Sequence, residues 1–429
     1  MTVLHVENLI ILVCLTLLLS FISSLIYRFT KIPDVIWLMG FGVLMGSGIQ
    51  YIDKGLFNEL APLMSILALS IILFEAGINV DIITLIDNMG KAAALSVSSI
   101  FFAILLVGFV TSSVLPNDFT MLQGMLLGAM IGGTSTVAVF GILGSMEKSV
   151  PNLGSTKIML TMESIISDPI CIIASITLIK MILQPGVSIR DGVSDIVSTF
   201  ILSSLLGISA GLSWSNILNR LRTHPYTYMI TLAVLMPLYI LSEAIIGDGA
   251  GAMTALAFGL AITNYSFFME TLGRPGKVRI NVRKLREFHE EIVFFIKSFF
   301  FVYIGVVVSL SWKYMFVGFM LVILLMAMRY ILVEGIGNAL QFNHEEKTIA
   351  KVVYASGLPA FVMSQLPQLY DPNAQVFLTP GLYPDICMPI VLGTILYSGL
   401  IGPWMINEEL KSKEEPAQEE ESGENDPET

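Results

Sequence analysis

Long apolar runs recur along the chain from residue 8 almost to residue 405. Each run has about 17 to 25 residues, the length that a helix needs to cross the hydrocarbon core of a bilayer. Uninterrupted runs of this kind favour an all-α polytopic membrane protein over a barrel, whose strands alternate polar and apolar positions. The pattern predicts thirteen transmembrane helices, at about 8–28, 33–50, 58–78, 92–115, 121–145, 155–183, 195–216, 226–244, 250–265, 288–310, 313–340, 347–368 and 384–405.

Basic residues in the connecting segments predict the orientation. If the N-terminus is outside, the inner connections receive most of the lysines and arginines, including the cluster RPGKVRINVRKLR at 274–286. The outer connections keep only Lys54, Arg190 and Lys313. Because cytoplasmic loops carry an excess of Lys and Arg, we predict a cell-membrane protein with its N-terminus outside and its C-terminus in the cytoplasm.

Composition and charge refine this picture. The chain is 55% hydrophobic and 13% charged, which excludes a soluble protein with ordinary surface charge. Residues 406–429 are acidic and contain proline, so we predict a membrane domain at 1–405 and a disordered cytoplasmic tail after it. The sequence contains no nucleotide-binding loop, catalytic triad or metal cluster. We therefore expect a protein that is not an enzyme, has no cofactor and binds no nucleic acid.

Two predicted spans contain interruptions that ordinary membrane helices seldom need. The fifth contains GGTSTV, with Gly132 and Gly133, and the twelfth contains ASGLPAF, with Gly357 and Pro359. They are seven helices apart, and an odd offset inverts the topology. We predict two inverted six-helix repeats at about 8–183 and 226–405, with a linker helix at about 195–216. Paired broken helices indicate the midplane site of a secondary transporter. The alternative is that Gly and Pro are simply common in membrane helices.

Four charged residues fall within predicted spans, where each one needs a partner or a function. They are Glu163, Asp168, Lys297 and Arg329. At a rise of about 1.5 Å per residue, Arg329 and Glu163 lie at similar depth, which predicts an ion pair. Lys297 enters its helix from the inside to a level from which its long side chain is expected to approach either carboxylate.

Polar residues on the sixth span form a stripe. Thr161, Ser164 and Asp168 share one helical face, and Glu163 and Ser167 form an adjacent i, i+4 pair. Hydroxyl and carboxylate oxygens are ligands that a monovalent cation accepts in place of water. The stripe therefore indicates a cation site. The alternative is a buried ion-pair network that only holds the bundle together, and that reading leaves Asp168 without a role.

Several motifs resemble the monovalent cation/proton antiporters of the NhaP type, within the cation/proton antiporter-1 group. They are KIPDVIWLMGFGVLMG, LFEAGINVDI, ESIISDP, GAGAMTALAFGLAITN, FFFVYIG and MRYILVEGIG. The resemblance implies that Asp168 binds the ion and carries the proton, that Ser164 and Thr134 offer ligands, and that Glu163 pairs with Arg329. It also implies thirteen helices with crossed broken helices 5 and 12, and a homodimer.

The chain departs from the family pattern at three places. Ser167 replaces the usual asparagine before the aspartate, so the neighbour of the carboxylate changes. Thr134-Ser135-Thr136 replaces Thr-Asp-Pro, so Ser135 stands where a second acidic group is expected. Ser356-Gly357-Leu358-Pro359 replaces Gly-Pro-Arg-Gly and lacks the arginine. With one acidic carrier, the expected activity is electroneutral 1:1 exchange of a monovalent cation for H+, with Na+ favoured and K+ or Li+ open.

Two other functions remain as alternatives at this point. Helix interruptions and membrane charges also suit a cation channel. A sensor built on a transporter fold would keep the same pattern without transport, although the retained Asp168 argues against it. His224, His289 and His344 fall at predicted loops or helix ends, where we expect solvated side chains.

Overall fold

The computed structural model describes residues 3–30, 34–48, 54–146, 153–184, 186, 188–221, 226–273, 282–309 and 311–406. Helices dominate these ranges, and no strand occurs among them. The predicted acidic tail lies outside them from residue 407 onward. The helices are α1 (Val3–Thr30), α2 (Asp34–Val43, continued by a π-helical segment Leu44–Gly48), α3 (Lys54–Asn79), α4 (Ile82–Val114), α5 (Met121–Ile131), α6 (Thr136–Met146), α7 (Leu153–Leu183), α8 (Ile189–Arg220), α9 (Thr227–Ile245), α10 (Ala250–Thr263), α11 (Tyr265–Thr271), α12 (Val282–Val307), α13 (Trp312–Ala339), α14 (His344–Val352), α15 (Leu358–Ser364), α16 (Leu366–Tyr370) and α17 (Tyr383–Leu396, continued by a π-helical segment Tyr397–Ile401).

Six helical segments are long and apolar enough to cross a membrane by themselves. They are Asn88–Val114, Leu153–Leu183, Arg190–Arg220, Tyr228–Ile245, Trp312–Ala339 and Pro380–Ile406. A seventh span results if α10 and α11, which bend by 84°, are counted together. These segments make the chain a multi-pass membrane protein. The other predicted spans coincide either with broken helices or with α1, α2, α3 and α12, whose described residues lack an apolar stretch of spanning length, so the thirteen crossings and the two inverted repeats stay predictions.

Two helix interruptions lie against each other. α5 ends at Ile131 and α6 begins at Thr136, while α14 ends at Val352 and α15 begins at Leu358. The backbone N–H of Ser135 donates to the carbonyl oxygen of Ala355 at 2.7 Å. The hydroxyl groups of Tyr354 and Ser356 donate to carbonyl oxygens at the end of α5, each at 3.0 Å. Each break thereby satisfies backbone groups that the other break exposes, which is what irregular backbone inside a membrane requires.

Glycine and proline explain where these breaks occur. Pro359 is the second residue of α15, a position in the first helical turn that needs no N–H donor. A Cβ atom on Gly357 would lie 2.3 Å from the Cβ atom of Ser135. Only a residue without a side chain therefore permits the two breaks to come this close.

α7 is the central helix of the bundle, and most of its residues are buried. It packs against α4, α5 and α8, and it carries Glu163, Asp168 and Pro169. A proline inside a helix leaves one carbonyl oxygen without its usual donor. Because α7 is central and buried, Glu163 and Asp168 lie in the interior of the protein and not on its lipid-facing surface.

The histidine prediction is wrong for His289. The side chain is fully buried in α12, because this helix begins at Val282, six residues before the predicted span. Its Nδ1 lies 2.8 Å from the carbonyl oxygen of Leu285, and its ring centroid lies 4.8 Å from that of Phe74. His344 is half-buried as the first residue of α14, and His224 lies outside the described residues.

Candidate functional site

A cavity of about 350 Å³ leads into the bundle beside α7. Its wall includes residues near the end of α1, the start of α2 and the end of α3, so it reaches one end of the bundle. Deeper, it reaches Asp168 and the second helix break at Gly357. Its polar and charged lining residues are Ser24, Tyr27, Asp34, Glu75, Asn79, Ser135, Thr136, Thr161, Asp168 and Lys297.

Asp168 is a deeply buried carboxylate within this cavity that has no protein partner among the described residues. Its residue is 6% exposed. It forms no hydrogen bond and no ion pair with any residue in the described ranges. A buried charge is costly unless it is neutralised by a proton or by a counter-ion. Asp168 therefore has the environment of a group that takes its positive partner from solution.

The hydroxyl groups expected beside Asp168 mainly bind one another. The hydroxyls of Thr134 and Ser164 are 2.9 Å apart. The Ser167 hydroxyl accepts the backbone N–H of Thr134 at 3.1 Å and lies 3.0 Å from the carbonyl oxygen of Ser164. These contacts fix the break after α5 against α7. Among the predicted hydroxyl ligands, Ser135 lines the cavity, whereas Thr134, Ser164 and Ser167 do not.

Two other threonines line the cavity. The hydroxyl groups of Thr136 and Thr161 are buried and make no hydrogen bond within the described part of the chain. The sequence placed Thr161 on the face of Asp168 but did not select it as a ligand. For Thr136, the sequence indicates only that it replaces the proline of the family pattern and gives no sign that it lines the cavity. Both have an oxygen that is not hydrogen-bonded to any described residue.

Glu163 and Arg329 form a bidentate ion pair. Nη1 of Arg329 lies 2.5 Å from Oε1 of Glu163, and Nη2 lies 2.8 Å from Oε2. The Nε group donates to the carbonyl oxygen of Ala350 at 2.8 Å, and Nη1 also donates to the hydroxyl of Ser99 at 3.1 Å. The guanidinium is thus fully engaged, and neither member of the pair lines the cavity. This geometry supports a structural role for the pair.

Lys297 does not pair with Glu163 or Asp168, the two carboxylates that its depth in the membrane indicated. Its Nζ atom instead donates to Oδ2 of Asp34 at 2.9 Å. Depth along a helix gives the height of a residue but not the helix that it faces, and α12 packs against α2. Asp34 was missed because an acidic residue at a helix start looks like an ordinary N-terminal charge. Glu75 of α3 also lines the cavity.

Comparison with known proteins identifies the family. The model of the transmembrane sodium/hydrogen exchanger family matches residues 15–409. The chain belongs to this family. The resemblance to cation/proton antiporters of the NhaP type is confirmed by individual relatives.

The relatives are similar over part of their length. The K(+)/H(+) antiporter NhaP2 of Shewanella sp. strain ANA-3 is 27% identical over 262 residues, which cover 59% of this chain and 43% of the relative. The Na(+)/H(+) antiporter ApNhaP of Aphanothece halophytica is 24% identical over 311 residues, with 70% of this chain and 54% of the relative covered. The matches thus span about half the length of these exchanger-family relatives.

The fold is similar to that of a solved antiporter. The structure of the sodium proton antiporter MjNhaP1 from Methanocaldococcus jannaschii at pH 8 matches with a TM-score of 0.75 and 19% sequence identity. The match covers 94% of this chain and 97% of that chain. At this identity the likeness establishes the fold of this exchanger-family member and leaves its substrate to other arguments.

Proposed function

We propose that this protein exchanges a monovalent cation for H+ across the cell membrane, and that Asp168 binds both in turn. The observation that carries the proposal is a buried carboxylate without a partner among the described residues, placed in a cavity beside two crossing helix breaks. Broken helices at the middle of a membrane are the usual site of ions in secondary transporters. The names of the relatives, K(+)/H(+) and Na(+)/H(+) antiporters, agree with this proposal.

Competition for one carboxylate accounts for the coupling. In a low-dielectric surrounding, Asp168 requires one positive partner, which is either a proton or a cation. Alternating exposure of the site to the two sides of the membrane then converts this competition into exchange. Because Ser135 stands where a second acid is expected, one charge moves in each direction, and the exchange is electroneutral with 1:1 stoichiometry.

The ligands proposed around the cation are oxygen atoms. Ser135, Thr136 and Thr161 line the cavity with Asp168, while Thr134, Ser164 and Ser167 hold the break in position behind them. We propose a monovalent cation because carboxylate and hydroxyl oxygens are hard ligands, with Na+ favoured and K+ and Li+ as competing substrates. Glu163, Arg329 and the glycines at the breaks have structural roles in this proposal.

The same proposal includes the membrane arrangement. Thirteen spans, two inverted repeats, an outer N-terminus and an inner C-terminus agree with the crossed breaks and with the distribution of basic residues. In this orientation the cavity opens to the cytoplasm. A homodimer is also part of this proposal, and it rests on the resemblance to the antiporter family.

The decisive experiment uses everted membrane vesicles with a pH-sensitive dye. Na+, Li+ and K+ are added side by side while the membrane potential is clamped. We expect cation-dependent dequenching with the unaltered protein and none with Asp168→Asn. The matched control is Asp191→Asn, which changes an exposed aspartate in the first turn of α8 and should retain exchange.

Other outcomes separate the rival functions. Dequenching by Asp168→Asn at the normal rate contradicts the assignment of this residue. Conductive cation flux without proton movement indicates a channel. Specific cation binding without any flux by the unaltered protein indicates a sensor.

A further inference from the structure

Tyr354 lies where the two helix breaks meet, and its side chain is fully buried. Its hydroxyl donates to the carbonyl oxygen of Gly132 at 3.0 Å, and the carbonyl oxygen of Ile131 lies 3.4 Å away. Its ring centroid lies 5.5 Å from Cζ of Arg329. One aromatic side chain therefore connects the end of α5 to the buried ion pair of Arg329 with Glu163.

The backbone of Tyr354 is also fixed. Its N–H donates to the hydroxyl of Ser398 at 3.1 Å, and this hydroxyl donates to the carbonyl oxygen of Val352 at 3.0 Å. Ser398 belongs to the π-helical segment that continues α17. A tyrosine that is held at its backbone and packed around its ring has little freedom to rotate. Its hydroxyl therefore presents a hydrogen-bond donor at a constant place.

The segment 132–135, which follows α5, carries the oxygen atoms of the first break. It belongs to no helix, so hydrogen bonds within a helix do not hold it in place. On one side, α7 holds it through the hydroxyl of Ser167. On the other side, the second break holds it through Tyr354 and through Ala355, whose carbonyl oxygen accepts the backbone N–H of Ser135. The position of Ser135, which lines the cavity, therefore depends on Tyr354.

We propose that Tyr354 is a positioning residue that fixes Ser135 within the cavity and thereby determines which monovalent cation the site prefers. This inference rests on the proposed function, in which Ser135 is one of the ligands. Na+ and K+ differ in size, so a displacement of one oxygen ligand changes their affinities unequally. Without the hydroxyl of Tyr354, the carbonyl oxygen of Gly132 loses its buried donor, and the segment 132–135 becomes free to shift.

Tyr354→Phe tests the hydroxyl, and Tyr383→Phe is the matched control. Tyr383 is also buried, and its hydroxyl donates to the carbonyl oxygen of Gln123 near the start of α5, again at 3.0 Å. Each variant loses one hydrogen bond to the same helix, so both should unfold at similarly reduced temperatures. In the vesicle assay, Tyr354→Phe should raise the KM for the preferred cation roughly threefold to tenfold, with a smaller rise for the other cations and little change in kcat. Tyr383→Phe should leave the KM values nearly unchanged.

A double variant tests whether Tyr354 acts through Ser135. Ser135→Ala alone should also reduce the discrimination between cations. Adding Tyr354→Phe to it should have little further effect, because the ligand that Tyr354 positions is already absent. Effects that multiply in the double variant would show independent roles and overturn the inference.

Other results also overturn it. They are unchanged KM values in Tyr354→Phe, an equal change in Tyr383→Phe, and an unaltered protein that does not discriminate between Na+, Li+ and K+. If Tyr354→Phe does not yield a monodisperse protein in detergent, Ser356→Ala decides, because it removes the neighbouring hydrogen bond to the carbonyl oxygen of Ile131. It should change the KM values in the same way, and unchanged values there contradict the inference. Absence of exchange in the unaltered protein contradicts the proposed function and removes the basis of this inference with it.

Discussion

The guanidinium of Arg329 binds both carboxylate oxygens of Glu163, and this pair joins α13 to α7 in the interior of the protein. The two side chains are 0% and 2% exposed. The ring of Tyr354 lies over the guanidinium at 5.5 Å from its centroid. Every charged group of the pair is thus satisfied within the protein, which separates it from the unpaired Asp168 five residues further along α7.

Breaking this pair should destabilise the protein strongly. Glu163→Gln leaves a buried guanidinium without its counter-charge, so we expect a loss of about 3 to 5 kcal/mol in the free energy of unfolding. Thermal unfolding in detergent measures the change. The control is Glu334→Gln, whose partner Lys351 lies 2.7 Å away but whose side chain is 47% exposed. There we expect little change, because solvent screens an exposed pair, and equal effects would contradict a structural role for the buried pair.

The crossing of the two helix breaks predicts a specific steric effect. Gly357→Ala places a methyl group 2.3 Å from Cβ and Oγ of Ser135, so we expect loss of exchange and a lower unfolding temperature. Ser135→Gly removes both clashing atoms, and the double variant should recover most of the stability. Gly335→Ala is the control, because nothing lies within 4 Å of its added methyl group. A stable, active Gly357→Ala protein would argue against this crossing.

The unpartnered hydroxyl of Thr161 predicts a loss of ion affinity without a loss of stability. Thr161→Val removes an oxygen that makes no hydrogen bond within the described residues, so the unfolding temperature should be unchanged or higher. If the oxygen contacts the cation, the KM should rise severalfold. Thr156→Val is a matched control on the same helix, since its hydroxyl is also buried and unpartnered but does not line the cavity. Equal KM values in both variants would remove Thr161 from the site.

A pH dependence is expected from Asp371, in the connection after α16 and outside the spanning segments. Backbone N–H groups of Val376, Gln375 and Phe377 donate to its carboxylate, each at 2.8 Å. These bonds hold the pKa of Asp371 below its usual value. Its contribution to stability is therefore complete above the unfolded pKa of about 3.9 and is lost as the pH falls through the folded pKa.

Asp371→Asn tests this dependence. The variant should unfold at a lower temperature than the unaltered protein near neutral pH, and the difference should shrink on acidification below about pH 4. Thermal unfolding in detergent at both pH values measures it. Glu270→Gln, which changes an exposed acid, provides the comparison. A difference that persists unchanged in acid would show that the carboxylate charge is not the cause.

The pair of Arg329 and Glu163 follows from the sequence, because a charge inside a membrane is costly and few residues of opposite charge are available to neutralise it. Arg329 and Glu163 lie at the same depth, and each requires a counter-charge. The same depth argument gave Lys297 no unique partner. The neighbour of Lys297 depends on how α12 packs against α2, and close contact through Gly42 and Gly305 cannot be read from helix periodicity.

The choice of hydroxyl ligands shows a second limit of sequence reasoning. Helical spacing places Thr161 and Ser164 on the face of Asp168, but it does not tell which hydroxyl another residue already occupies. Thr134, from a different helix, binds Ser164 and leaves Thr161 open. Thr136 was overlooked because its side chain reaches the cavity only through the geometry of the break.

Asp168 has no counter-ion within the part of the chain that the structure describes, and this has a consequence for leakage of ions. In an exchanger of the proposed kind, the site can change its exposure from one side of the membrane to the other either with a bound proton or cation or with nothing bound. With the site empty, a bare carboxylate has to be carried through the low-dielectric interior, whereas a bound proton or cation removes that charge. Empty returns are thus the slow ones. The missing partner favours obligatory exchange over one-way loss of the ion gradient.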